Sequence, residues 1–354
     1  MAGAQLKKKD LELIRKKIAT EGNFGAKKGI SLEWWYLSGF FWEKDSGSVS
    51  NHPNFPPGAP DFGLHVAFFH STNNKNASLV GHASMTDFEE KRYKTANNFT
   101  QIPNNSFNEI LSGEKLHIQS NGWEFTEKTG KKEKKTWSLI YKIENQKFEL
   151  ILYPEKKIWF HGDHGVISRT GDFYEFYYSI PFIKTYGSVV DLASGRAKSL
   201  EGTFWFDHEI GIRNNISEAE WKWFGLKFPD GTAYMICIYK DGHGGVQILA
   251  EKYRENLSKD THSNSFLNNI CIKKFNLRRL KSGHQYPLRY EIDYYDKEKL
   301  ITGKFTVESY ISEQEFRHPN SGTRYWEGVV KTVKKEAGRS ISGFGYLEIR
   351  PAQK

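Results

Sequence analysis

"LEWWYLSGFFWEK" fills residues 32–44, and its alternation decides the fold. A side-chain period of two sets Glu33 and Trp35 on one face of a strand, Trp34 and Tyr36 on the other. The same period runs through "FGLHVAFFHS" (62–71), "SLVGHASMTDF" (78–88), "KLHIQSNGWEFTEK" (115–128) and "WSLIYKIENQKFELILYPE" (137–155). It returns in "FYEFYYSIPFI" (173–183), "SLEGTFWFDHEIG" (199–211) and "EWKWFGLKFPDGTAYMICIYKDG" (220–242). "YPLRYEIDYYDKEKLITGKFTVESYI" (286–311), "YWEGVVKTV" (325–333) and "ISGFGYLEIR" (341–350) complete the series. Asp-Gly pairs at 230–231 and 241–242 mark turns. A helix is predicted only over 6–20, where Leu6, Leu13, Ile14 and Ile18 recur among lysines. This many strands must hide their edges, and closed antiparallel barrels or sandwiches do so. The expected fold class is all-β.

"EWWYLSG" at Glu33 is echoed by "EWKWFGL" at Glu220, each opening a β-rich stretch. A chain of 354 residues is long for one domain. The expected division is a helical extension over 1–23, then domains over 24–216 and 217–354, meeting at "RNNISEA" (213–219). Aromatic residues make up 15% of the chain, with 10 Trp, 18 Tyr and 25 Phe. That load suits a ring-lined β interior.

The formal charge of +9 comes from 51 Lys and Arg against 42 Asp and Glu. The basic residues are spread through "LKKKD", "GKKEKK" and "VKKEAGR", as on a solvated surface, and no nucleic-acid partner is expected. No apolar run approaches the roughly 18 residues of a membrane span, so no membrane insertion is expected. The N-terminus lacks the apolar core of a signal peptide, and a cytoplasmic location follows as the expectation. Cys237 and Cys271 each lie in an apolar run, "YMICIYK" and "NNICIKK", and read as two buried thiols. A serine-nucleophile elbow, a phosphate-binding loop and a dinucleotide fingerprint are all missing from the sequence.

The stretch "FWFDHEIG" (204–211) concentrates polar chemistry beside rings. On a regular strand Trp205, Asp207 and Glu209 share one face, while Phe206 and His208 share the other. Asp207, His208 and Glu209 therefore cannot converge on one metal ion, and "HGDH" (161–164) lacks a ligand spacing. Neither a metal nor a cofactor is expected. Glu33, sharing a face with Trp35, reads either as an acid whose pKa rises in an apolar cavity or as a carboxylate sealing the barrel through a partner. Asp207, His208 and Glu209 read as acid–base groups, as a polar network bracing the domain junction, or as both. His65 and His82 fall on neighbouring strands; Tyr177, Tyr178 and Ser179 can present hydroxyls; Trp221 and Trp223 read as core packing or as a cradle for a cation.

Eight stretches together resemble the carotenoid 1,2-hydratase-like proteins and their AttH-type, lipocalin-like relatives. They are "EWWYLSG" (33–39), "GLHVAFFHS" (63–71), "GHASMTD" (81–87), "HGDHGVISR" (161–169), "FYYSIP" (176–181), "EGTFWFDHEIG" (201–211), "WKWFGLKFPDG" (221–231) and "YWEGVV…GFGYLEI" (325–349). Two departures stand out: Ser31 where a His often precedes the Glu-Trp-Trp-Tyr motif, and "DHEIG" for the commoner Asp-His-Glu-Trp. The resemblance implies two tandem lipocalin-like β-barrels with a pocket for an apolar small molecule such as a polyene, polyketide or terpenoid. It implies a cofactor-free enzyme, with hydratases and Diels–Alder cyclases among similar proteins. The expected activity is cyclisation of a long apolar chain; the alternatives are hydration of an isoprenoid double bond and non-catalytic carriage. Expected catalytic residues are Glu33, Asp207, His208 and Glu209. Expected substrate contacts are Trp34, Trp35, Tyr36, His65, His82, Tyr178, Trp205, Trp223 and Trp326.

Overall fold

The computed structural model describes residues 7–27, 30–44, 58–72, 77–103, 110–111, 113, 115–129, 135–154, 157–168, 174–211, 219–241, 244–254, 265–295, 301–318 and 323–351. The chain divides into two compact units, Met1–Met85 with Lys94–Asn214, and Thr86–Tyr93 with Asn215–Lys354. Of the segment expected to join the domains, 213–218 lies outside the described residues.

The first unit opens with α1 (Lys8–Glu21). Gly22 ends that helix in the left-handed region, at φ 59°, where glycine pays no steric cost. The buried stripe is Leu11 and Ile18 with Ile14 beside them, whereas Leu13 is 69% exposed. Leu13 thus lies off the stripe read from the sequence, because Leu11, three residues before Ile14, takes the inward position. Leu6 is outside the described residues.

Twelve strands follow: β1 (Leu32–Glu43), β2 (Phe62–Thr72), β3 (Ala77–Asp87), β4 (Arg92–Ile102), β5 (His117–Ser120) and β6 (Trp123–Thr129) come first. Then come β7 (Lys135–Ile143), β8 (Gln146–Tyr153), β9 (Trp159–Phe160), β10 (Val166–Ser168), β11 (Tyr174–Asp191) and β12 (Ala197–Ile210). They form one sheet in the order β4-β3-β2-β1-β12-β11-β8-β7-β6-β5, with β9 and β10 pairing with β11. Side chains join its two ends. Asn98 Nδ2 on β4 donates to Ser120 O on β5 at 2.7 Å, and Ser120 Oγ donates back to Asn98 Oδ1 at 2.9 Å. Gly81 permits the close approach at this seam, since a Cβ there would lie 2.9 Å from the Trp123 ring. The curled sheet encloses a core rich in rings, among them Trp35, Phe68, Trp123, Phe125, Trp137, Tyr178 and Phe206.

The second unit carries β13 (Glu220–Lys227), β14 (Thr232–Lys240), β15 (Val246–Arg254), β16 (Ser265–Phe266) and β17 (Asn268–Arg279). It ends with β18 (Gln285–Tyr295), β19 (Ile301–Ser309), β20 (Glu315–Arg317), β21 (Arg324–Glu336) and β22 (Arg339–Arg350). Their order is β16-β15-β14-β13-β22-β21-β19-β18-β17, with β20 on β21. A separate core forms from Phe224, Tyr234, Tyr290, Phe305, Trp326 and their neighbours. The protein is all-β, with two lipocalin-like antiparallel units.

Cys237 is buried but Cys271 is exposed, which corrects the expectation of two buried thiols. Cys271 lies on the edge strand β17, where Ile270 and Ile272 pack towards the core and the residue between them faces out.

Candidate active site

Strand register creates the site. β1 and β12 pair so that Trp35 faces His208 and Glu33 faces Ile210. β11 pairs with β12 so that Tyr178 faces His208. Glu33, Trp35, His208 and Tyr178 therefore share the inner face of the first unit, beside Phe206 and Phe176.

Their polar atoms form one line. Glu33 Oε1 lies 2.8 Å from His208 Nε2, and His208 Nδ1 lies 2.6 Å from Tyr178 Oη. Glu33 Oε2 accepts the backbone N–H of Lys27 at 2.8 Å. Glu33, His208 and Tyr178 are all fully buried. Trp35 stacks on the imidazole at 4.8 Å and 26°, and its indole N–H donates to Phe24 O at 2.9 Å. The Tyr178 ring is bounded by Phe24, Phe160, Phe176 and Phe206 at centroid distances of 5.6–6.3 Å.

Burial sets the charge states. Desolvation pushes the Glu33 carboxyl up to about 8, against the pull of the Lys27 ammonium and amide. The same burial lowers the Lys27 ammonium. It holds His208 well below the usual imidazole range, with Lys27 adding to the effect. It raises Tyr178 far above the usual phenol range, with Glu33 adding to that. At neutral pH the line is thus a carboxylic acid, a neutral imidazole and a phenol. Each can give one proton and take another.

A second network occupies the opposite face of the same strands. Ser179 Oγ donates to Asp207 Oδ1, which also accepts from Trp205 Nε1 at 2.6 Å. His161 Nε2 lies 2.6 Å from Ser179 Oγ. Because the serine donates to the carboxylate, the ring N–H of His161 supplies the proton in that contact. This order, carboxylate–hydroxyl–imidazole, differs from the carboxylate–imidazole–hydroxyl order of a nucleophilic triad. Glu209 sits one position further along this face and is buried.

The expected candidates of the first unit thus separate into two groups. Glu33, Trp35, His208 and Tyr178 meet inside. Asp207, Glu209 and Trp205 lie outside, as do Trp34, Tyr36 and His65, with Tyr36 and His65 in ring contact at 5.0 Å. Burial depresses His65 to about 3. His82 packs on Phe69 at 5.1 Å, and Phe69 on Trp34 at 5.9 Å. Trp326 belongs to the second unit's core, its N–H donating to Ser312 O at 2.7 Å, and Trp223 lies buried in that unit. In "HGDH", Asp163 pairs with Lys8 at 2.8 Å while His161 joins the serine network. Among the described residues no group of three or more His, Cys, Asp or Glu could hold a metal ion.

Sequence reasoning missed Lys27 and Phe24. Phe24 projects into the core from the turn after α1, 5.0 Å from the Trp137 ring. Its one signal was a large ring between Asn23 and Gly25, where Asn23 Oδ1 accepts the Gly25 amide at 3.0 Å.

Solved structures share this architecture. A protein of Nitrosomonas europaea described as an AttH is 18% identical, at a TM-score of 0.75 over 99% of this chain and 98% of that one. Kievitone hydratase from Nectria haematococca is 15% identical, at 0.66 over 99% and 94%. CghA, solved with Sch210972, is 10% identical, at 0.56 over 95% and 93%. Identities this low establish likeness of fold. No curated protein matches the chain in sequence. No helix among the described residues is long and apolar enough to cross a membrane. The model of the AttH-like family matches residues 15–351, spanning both units and every motif of both polar networks, and the chain belongs to that family.

Proposed function

We propose that the protein is a hydratase that adds water to a carbon–carbon double bond of an apolar small molecule, using Glu33, His208 and Tyr178 as a proton relay. The observation that carries this reading is the buried line from carboxyl to imidazole to phenol. Tyr178 Oη gives its proton to the alkene and takes one from His208 Nδ1. His208 Nε2 in turn takes the proton of Glu33 Oε1. One proton leaves the line, each hydrogen bond reverses, and the negative charge ends on Glu33. There the Lys27 amide and ammonium face it. Water then captures the carbocation, and the proton that water sheds restores the acid. The rings around Tyr178 stabilise the cation.

A pericyclic closure moves no proton, so a three-group relay exceeds what the cyclisation expected from the sequence requires. That weighs for hydration. The membership of kievitone hydratase in the same fold is consistent with it.

The test is incubation with prenylated phenols and isoprenoid ketones in ¹⁸O-labelled water, with mass spectrometry of the products. A product gaining one labelled water supports hydration. An isomer of unchanged mass supports cyclisation, and binding without product supports a carrier. Both outcomes overturn the reading.

A further inference from the structure

Two buried donors on β7 have no partner among the described residues: Trp137 Nε1–H and Tyr141 Oη. Both side chains are fully buried. They occupy the inner face of β7, alternating with Leu139, in the same ring-lined core as the relay. Phe24 and Phe206 link Trp137 to it. The Trp137 ring lies 5.0 Å from Phe24 and 4.9 Å from Phe206, and both of those rings border Tyr178.

A buried polar group left unbonded is expensive, and native cores rarely keep one without an occupant that bonds it. An indole N–H is a donor only, so its missing partner must be an acceptor. The rings around Trp137 are Phe24, Phe125 and Phe206, and Glu127, opposite it on β6, is held by Lys135 at 3.3 Å. A ligand oxygen would supply the acceptor that Trp137 Nε1–H lacks among the described residues. A ring-walled site with a few placed polar groups is the usual make-up of a small-molecule pocket.

We infer that the interior of the first unit takes an apolar, unsaturated molecule carrying a carbonyl or ether oxygen, which accepts from Trp137 Nε1–H and sets the double bond beside Tyr178 Oη. Tyr141 stands four residues further along β7, about 13 Å of backbone, and its hydroxyl binds a second oxygen of a long substrate. Trp137 is a positioning residue in this scheme. The inference rests on the proposed hydratase reading for the place of the reacting bond, but not for the affinity it predicts.

The experiment compares two probes by calorimetric titration: geranylacetone, an isoprenoid ketone, and farnesene, a hydrocarbon of similar length. Wild type should bind the ketone more tightly. Trp137→Phe should weaken the ketone about threefold to tenfold, the worth of one hydrogen bond, and leave farnesene unchanged. The indole ¹⁵N–¹H resonance that Trp137→Phe removes should shift on adding ketone but not hydrocarbon. If Trp137→Phe does not fold, Tyr141→Phe and the wild-type resonance carry the test.

Equal affinities in wild type and variant overturn the inference, and so does equal weakening of both probes, which is a packing effect. Failure of wild type to bind either probe also overturns it. The two proposals fail separately. If Glu33→Gln abolishes turnover while Trp137→Phe leaves ketone affinity and KM unmoved, the inference falls and the relay stands. If Glu33→Gln keeps full turnover while ketone affinity depends on Trp137, the relay falls and the inference stands.

Discussion

Glu33 has no exposed surface, and its neighbours decide whether it keeps a proton. Desolvation raises the carboxyl to about 8, so the neutral, donating form persists through neutral pH. The acid is competent below that pKa and is lost as pH climbs through it. Turnover should therefore show an alkaline limb near pH 8, which Glu33→Gln removes together with the activity. Losing general acid catalysis typically costs about 10²–10⁴ in rate. Glu33→Gln and Tyr178→Phe should each fall in that range per folded molecule, with melting curves showing that the fold survives. Lys27→Met tests the cation. Its ammonium pulls the Glu33 pKa down, so its removal should move the alkaline limb to higher pH. A limb that stays in place or moves down would refute that role.

Elements bring these residues together, and here the sequence was only partly legible. Alternation identified β1, β2, β3, β12 and most hairpins, because one face of each is apolar. It also separated His208 from Asp207 and Glu209, as the pairing of β12 bears out. It did not identify β4, whose "RYKTANNFTQI" lacks an apolar stripe because Asn98 turns to the seam and bonds Ser120. Nor could it show that Trp35 lies opposite His208, since strand partners distant in sequence are chosen by the closed sheet and not by local pattern. Lys27 and Phe24 were hidden for another reason: they sit in a turn, where periodicity is silent. The seam yields its own prediction. Asn98→Ala removes the donor to Ser120 O and the acceptor for Ser120 Oγ, and should cost about 1–3 kcal/mol in chemical denaturation. Turnover of the remaining folded protein should be close to normal.

Across the whole molecule, the repeated Glu-Trp opening marks equivalent places. β1 lies between β2 and β12 in one sheet, as β13 lies between β14 and β22 in the other. The chemistry is not repeated. Glu220 pairs with Lys240 at a part-exposed edge, and Lys222 faces Ile349 where Trp35 faces His208. The proposed relay lies in the first unit; in the second, Glu315 Oε1 lies 2.8 Å from His284 Nδ1 and accepts from Tyr286 Oη at 2.7 Å, a trio centred on the carboxylate and not on an imidazole. The second unit buries Lys334 instead, whose ammonium donates to Asp230 Oδ2 at 2.7 Å and Thr232 Oγ1 at 2.8 Å. Lys334→Met should lower stability by about 2 kcal/mol, through the acceptors left behind, and leave kcat per folded molecule unchanged.

The relay requires Glu33 to be a neutral acid at physiological pH. Difference infrared spectroscopy of wild type against Glu33→Gln reads this without a substrate, through the carbonyl stretch of a protonated carboxylic acid. The relay predicts that band at neutral pH in wild type, its loss as pH rises through about 8, and its absence from the variant. A wild-type spectrum showing Glu33 already ionised at neutral pH would contradict it.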